Sequence, residues 1–145
     1  MKKALILGVL VVFSLFAVSS SFAGKCPQPR KTKSAPAGTA RTDKTAKANA
    51  ANGEKIYMKK AKPMACQMCH GKKGDGTGKL GKAFKPPKAP RNFTCAATMK
   101  KVSAGQMFWI IKNGSKGTGM VAHKKTLKDK EIWDVVKYIR STFVK

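Results

Sequence analysis

Five consecutive residues, Cys66-Gln67-Met68-Cys69-His70, constrain this chain more than any other stretch of it. Two cysteines three apart, followed at once by a histidine, share one face when the segment makes a turn of helix. Two thiols and an imidazole then converge on a single object lying against that face. A zinc ion held by such a pair needs two further Cys or His at ligand spacing. Cys26, Cys95 and His123 each stand alone, far off in sequence. A dithiol redox pair belongs on a strand–helix–strand unit, and no such pattern surrounds this one.

The remaining reading is covalent attachment of haem. Cys66 and Cys69 reach two vinyl groups of one porphyrin as thioethers, and His70 arrives beneath the same ring, where an imidazole nitrogen binds iron. One haem c is therefore expected, with a sixth iron position open to a second ligand. A thioether suits that position and raises the reduction potential. Met120 closes the glycine-rich stretch Asn113-Gly114-Ser115-Lys116-Gly117-Thr118-Gly119-Met120 and is the expected sixth ligand. Met68 is inside the attachment motif, and Met58 and Met107 read as helix-face residues. His123 is the competitor, being the only other histidine.

The chain opens Met1-Lys2-Lys3, followed by an apolar run from Ala4 to Val18 broken only by Gly8 and Ser14, then small residues ending at Ala23. That order is a secretory signal, residues 1–23, with cleavage expected after Ala23. The run is short for a membrane span. From Gly24 to Asn49 there is no Val, Ile, Leu, Met, Phe, Trp or Tyr. Residues 24–48 are expected to be a disordered basic tail, unable to bury a core of their own. Export permits disulfides, and Cys26 and Cys95 are left either as a bridge from tail to domain or as two free thiols.

The chain carries 31 basic side chains against 6 acidic ones, a formal charge of +25. Loss of the signal removes only Lys2 and Lys3 of these. Such a charge attracts anionic surfaces: acidic redox proteins, or the head groups of an anionic membrane. Nucleic acid is not expected, because an exported chain seldom meets it and no binding motif is present.

Residues 49–145 read as one domain. A first helix is expected from about Asn49 to Ala61, with Gly53 and Tyr57 on one face and Pro63 ending it. The glycine-rich loop after His70 is expected to pack over the haem edge. Residues 80–93 form a stiff, proline-interrupted segment whose free carbonyls can orient the His70 ring, Pro86 being the candidate. Leu80, Phe84 and Phe93 are expected to cover the porphyrin. A second helix starts at Ser103, with Gln106 as capping-box partner, and Trp109 is a further candidate for the haem face. A last helix is expected from near Thr126, with Asp129 as its capping acid and Ile132, Val135, Val136 and Ile139 as its apolar stripe.

Together these residues resemble the class I monohaem c-type cytochromes, over roughly residues 49–145. The resemblance rests on Gly53 and Tyr57, the attachment motif, the proline-containing loop, Asn113-Gly114 leading to Thr118-Gly119-Met120, and the last helix with Trp133 and Val135-Val136-Lys137-Tyr138-Ile139. It implies an all-α cytochrome c fold of three to five short helices wrapped around one covalently attached haem. It also implies His70 and Met120 as axial ligands and a crossing of first and last helices near Gly53 and Tyr138. The family often carries proline directly after the methionine, where this chain has Val121. The expected function is periplasmic electron transfer by a monomer cycling between Fe(III) and Fe(II), with acidic redox partners and no catalysis. Lysines from Lys72 to Lys88, with Lys116, would steer those partners. The alternative is a small haem enzyme or haem-based ligand sensor with a labile sixth ligand, for which His123 is the distal base.

Overall fold

The computed structural model describes residues 26–28 and 32–145. The expected signal segment lies outside the described residues. Among those described there are six α-helices and no strand: α1 (Ala37–Arg41), α2 (Ala50–Lys55), α3 (Gln67–His70), α4 (Ala96–Met99), α5 (Ala104–Asn113) and α6 (Asp129–Thr142). The all-α architecture expected from the sequence is therefore the one observed, with single-turn helices raising the number beyond five.

Three long-range packings hold it together: α2 crosses α6, α5 packs against α6, and α1 packs on α5. The apolar stripe of α6 is buried as its spacing requires, with Ile132, Val135, Val136 and Ile139 between 0% and 3% exposed. At the crossing, a Cβ on Gly53 would overlap the backbone carbonyl of Asp134 and press on the Cβ of Tyr138. Only glycine lets the two backbones come this close. Asp134 supplies the polar half of the same joint. Its fully buried carboxylate accepts the Asn49 amide at 2.7 Å and the Asn52 side-chain amide at 2.8 Å, so the start of α2 is tied to the middle of α6. Charged-acceptor bonds of this kind are stronger than neutral ones.

The helix ends follow local chemistry, with two departures. Asn49 caps α2 by accepting from Asn52 N at 3.0 Å, and the helix finishes in a π-helical turn, Ile56–Lys60, three residues before Pro63. Ser103 caps α5 as expected, accepting from Gln106 N at 3.1 Å. The Gln106 side chain, however, turns away from the cap and bonds to Ala35 and Lys33. α6 begins at Asp129, and the carboxylate that closes its first turn belongs to Glu131, which accepts from Lys128 N at 2.8 Å. Thr126, the expected start, donates instead to the Lys62 carbonyl at 2.9 Å.

The described part of the basic segment corrects the expected disordered tail. Helix α1 packs on α5, and a Cβ on Gly105 would overlap the Thr39 carbonyl. Ala35 is buried; its amide donates to Gln106 Oε1 at 2.7 Å, and Ser103 Oγ donates to the Ala40 carbonyl at 2.6 Å. The segment adheres through backbone groups and small side chains, which an apolar count does not register. Cys26 is joined to Cys95, 69 residues on, so the open question of bridge or free thiols resolves to a bridge.

Replacing Gly53 with Ala is expected to lower unfolding stability by about 1–3 kcal/mol, because the obstacle is backbone and cannot swing aside. Denaturant midpoints of the two proteins check it; an unchanged midpoint counts against the close crossing.

Candidate functional site

Beneath the helices lies an apolar cleft of about 1000 Å³, counting its open mouth. Its lining includes Cys66, Cys69 and His70, the segment Thr118, Gly119, Met120 and Val121, and Met107, Ile110 and Ile111 of α5. The structure thus brings together all four residues singled out in the sequence.

The wall bearing the two cysteines is built by α3 and the loop that backs it. Within α3, His70 N donates to the Cys66 carbonyl at 2.9 Å, the single turn that puts both sulfurs and the imidazole on one side. The glycine-rich loop that follows, expected over the porphyrin edge, is not among the residues that line the cleft. It folds against the back of α3, with Gly76 N to the His70 carbonyl at 2.9 Å and Leu80 N to the Met68 carbonyl at 2.8 Å. Tyr57, fully buried, donates its hydroxyl to the Gly71 carbonyl at 2.8 Å and so fastens this loop to the first helix. Burial pushes the Cys66 thiol up to about 12 and raises that of Cys69. Among the described residues no three of His, Cys, Asp and Glu are grouped to hold a metal ion.

His70 is held on two sides. Its Nδ1 lies 3.1 Å from the Arg91 carbonyl oxygen. A carbonyl only accepts, so Nδ1 carries the proton and Nε2 keeps a lone pair for a metal. Its ring stacks on Phe93, with centroids 4.6 Å apart. The expected carbonyl was that of Pro86; the observed one is five residues further on. Residues 85–88 turn outward, with Lys88 N bonded to the Lys85 carbonyl at 2.9 Å. The chain returns beneath the imidazole only at Pro90 and Arg91, where Phe93 N is pinned to the Gly74 carbonyl at 2.7 Å.

The segment that brings Met120 to the cleft is a loop knitted by hydrogen bonds. Ser115 N donates to the Met120 carbonyl at 2.9 Å, and Met120 N to Thr118 Oγ1 at 3.1 Å. Phe84 lies against Gly119. Of the expected covering residues, Phe84 and Phe93 line the cleft, whereas Leu80 is 40% exposed and does not. Trp109 is also absent from the lining. The tryptophan that matters to packing is Trp133, stacked on Phe108 at 4.5 Å. Met64, Met99 and Met107 share the cleft with Met120. Met99 and Met107 are core side chains, 1% and 6% exposed, while Met120 is partly buried. His123 also reaches the cleft. Desolvation holds its imidazole below the ordinary range; the Lys62 backbone bonds one side of the ring, and buried Nδ1 has no partner.

A flat apolar ring with two attachment points fits this cleft. Its lining is mainly apolar, and Cys66, Cys69 and His70 all contribute to it. Among the described residues no helix is long and apolar enough to cross a membrane.

Comparison with known proteins agrees with this chemistry. Residues 48–139 match the family model described as cytochrome c oxidase, cbb3-type, subunit III. No curated protein matches the chain. Among solved structures, it is similar to a chain of the Kuenenia stuttgartiensis reducing HAO-like protein complex, with 29% identity and a TM-score of 0.56. That match covers 72% of this chain and 46% of the other, so this chain spans less than half its length. It is also similar to the c-type cytochrome SorU from Sinorhizobium meliloti, at 22% identity and a TM-score of 0.44, over 66% of this chain and 91% of that one. With the matched model spanning most of the chain and the attachment motif facing its apolar cleft, the protein belongs to the cbb3-type subunit III family and is a class I monohaem c-type cytochrome.

Proposed function

We propose that the chain is a periplasmic electron carrier of respiratory electron transport, binding one haem c through Cys66 and Cys69, with His70 and Met120 as axial ligands. The observation that carries this reading is a single apolar cleft lined by both cysteines, by an imidazole oriented by a carbonyl, and by the loop that carries the Met120 thioether. Bound there, haem supplies a one-electron couple whose potential is set by its axial ligands and their hydrogen bonds. The chain's own residues do the rest. Arg91 O holds the imidazole in one orientation, Phe93 stops it rotating, and the hydrogen bonds of Ser115 and Thr118 keep the Met120 loop in one shape. Phe84 and α5 exclude water from the apolar walls. Filled axial positions leave no place for substrate, which supports a carrier over an enzyme. Met120 is preferred to His123 because a thioether suits the sixth position of a haem iron and Met120 sits in the hydrogen-bonded loop that lines the cleft.

Residues 1–23 are assigned as the export signal, 24–48 as an accessory strap, and 49–145 as the haem domain. Lys72, Lys73, Lys79, Lys82, Lys85 and Lys88, all exposed around the segments that flank the cleft, are assigned to steering acidic redox partners. The likeness to one chain of a reducing HAO-like complex supports a redox protein as that partner. An anionic membrane surface remains a second place of attachment for the same charges.

Three measurements test the proposal. Wild-type protein matured in a haem-attaching host is expected to retain its colour in acid acetone, and Cys66→Ser with Cys69→Ser is expected to lose it. Met120→Ala is expected to abolish the methionine–iron charge-transfer band and lower the midpoint potential; a wild-type spectrum without that band rejects Met120 as ligand. Electron-transfer rates with an acidic redox partner are expected to fall at least tenfold between ~10 mM and ~500 mM salt, as the Debye length shortens from about 30 Å to under 5 Å. A flat profile rejects lysine steering.

A further inference from the structure

The N-terminal strap does more than adhere to the domain. Two residues after the Cys26–Cys95 bridge, Gln28 sets its side-chain amide flat against the segment beneath His70. Its Nε2 donates to the Pro90 carbonyl at 2.9 Å, and its Oε1 accepts from Asn92 N at 2.8 Å. These two bonds straddle Arg91. The backbone of Gln28 is anchored in turn, its N–H donating to Thr98 Oγ1 at 3.3 Å.

Asn92 N and Arg91 O belong to one peptide unit. That unit is planar and trans, so its N–H and C=O point in opposite directions. Gln28 grips the N–H, and the C=O on the far side accepts from His70 Nδ1 at 3.1 Å. Fixing one end of the plane fixes the other. Donation from Asn92 N to Gln28 also polarises the amide, which makes its carbonyl the better acceptor. A stronger Nδ1–H···O bond raises the basicity of an axial imidazole and favours the higher oxidation state of the metal it binds.

We propose that Gln28 is a positioning residue for the axial histidine: held by the Cys26–Cys95 bridge, it clamps the Arg91–Asn92 peptide and thereby lowers the reduction potential. This rests on the reading of His70 as an iron ligand. The strap then links a disulfide at the protein's edge to the electronic state of its centre, through one side chain and one peptide plane.

The test uses the mature holoprotein and Gln28→Met, which keeps the side chain's length and removes both amide bonds. Two quantities are read: the midpoint potential, and hydrogen exchange of the Asn92 amide by NMR. Gln28→Met is expected to speed exchange at Asn92 at least tenfold and to raise the potential, shifting the reduced-to-oxidised ratio at fixed ambient potential about threefold, which is about 28 mV at 59 mV per decade. Ser103→Ala, which loosens the same strap at its other anchor on Ala40, is expected to lower stability and leave the potential in place. Cys26→Ser with Cys95→Ser is expected to shift the potential in the same direction as Gln28→Met and serves if that variant does not mature. Faster exchange at Asn92 with an unchanged potential overturns the inference, as does an equal shift in Ser103→Ala. A wild-type protein without covalent haem defeats the reading of the site itself, whereas a haem-bearing wild type with an indifferent Gln28→Met defeats only this step.

Discussion

An imidazole on a short helix is free to spin about its side-chain bonds until its second nitrogen is held. In this protein the Arg91 carbonyl holds it, 3.1 Å from Nδ1, and much of the surrounding structure serves that one contact. Phe93 stacks on the ring, and its own backbone is pinned to Gly74 in the loop behind α3. That loop is fastened by Tyr57, which belongs to the turn continuing α2. α2 is in turn locked to α6 where Gly53 meets Asp134. A chain of direct contacts therefore runs from the helix crossing to the imidazole, each link either a buried hydrogen bond or a close packing. None of them depends on exposed ion pairs, which contribute little.

The crossing itself combines two effects that a sequence displays unequally. The missing side chain at Gly53 and the i, i+3, i+4, i+7 stripe of α6 are visible as spacing, and both behave as spacing predicts. The carboxylate of Asp134 is not. It sits on the same helix as two other acids and looks like a solvated face, yet it is fully buried and accepts two bonds from the start of α2. Its role depends on a neighbour 82 to 85 residues away. Periodicity reports which face of a helix is apolar; it does not report which polar residue on the rim will be covered by another element.

The same distinction separates the rest of what was legible from what was not. The attachment motif, the Ser103 cap and the methionine loop are local patterns, and each appears where its residues put it. The carbonyl that orients His70 was expected at Pro86 because prolines free carbonyls from helices. That argument was sound in kind, but the segment's path decided the residue: 85–88 bulge outward and Arg91 comes back beneath the ring. Leu80 and Trp109 were expected near the cleft because they are large and apolar. Backbone bonds from the α3 loop carry Leu80 outward, and the face of α5 that meets the cleft is that of Met107, Ile110 and Ile111. The described part of residues 24–48 was misjudged for a different reason. Apolar content measures what a segment can bury by itself, and this one is held by its backbone: Gln106 reaches out to Lys33 and Ala35, and Gly105 admits the Thr39 carbonyl.

Holding a strap by backbone bonds rather than by apolar side chains suits a chain of formal charge +25. Every lysine added to the strap raises self-repulsion, but a hydrogen bond between a carbonyl and a glutamine amide is indifferent to that field, and a disulfide more so. The strap can therefore carry basic residues outward while its uncharged groups grip the domain. Val121 illustrates the same economy in the loop that carries Met120. Where the family often stiffens the methionine loop with a proline ring, this chain braces it with the Thr118 hydroxyl and the Ser115 amide. A proline fixes one backbone angle; these two bonds fix the loop's closure, tying its entry at Ser115 to the methionine itself.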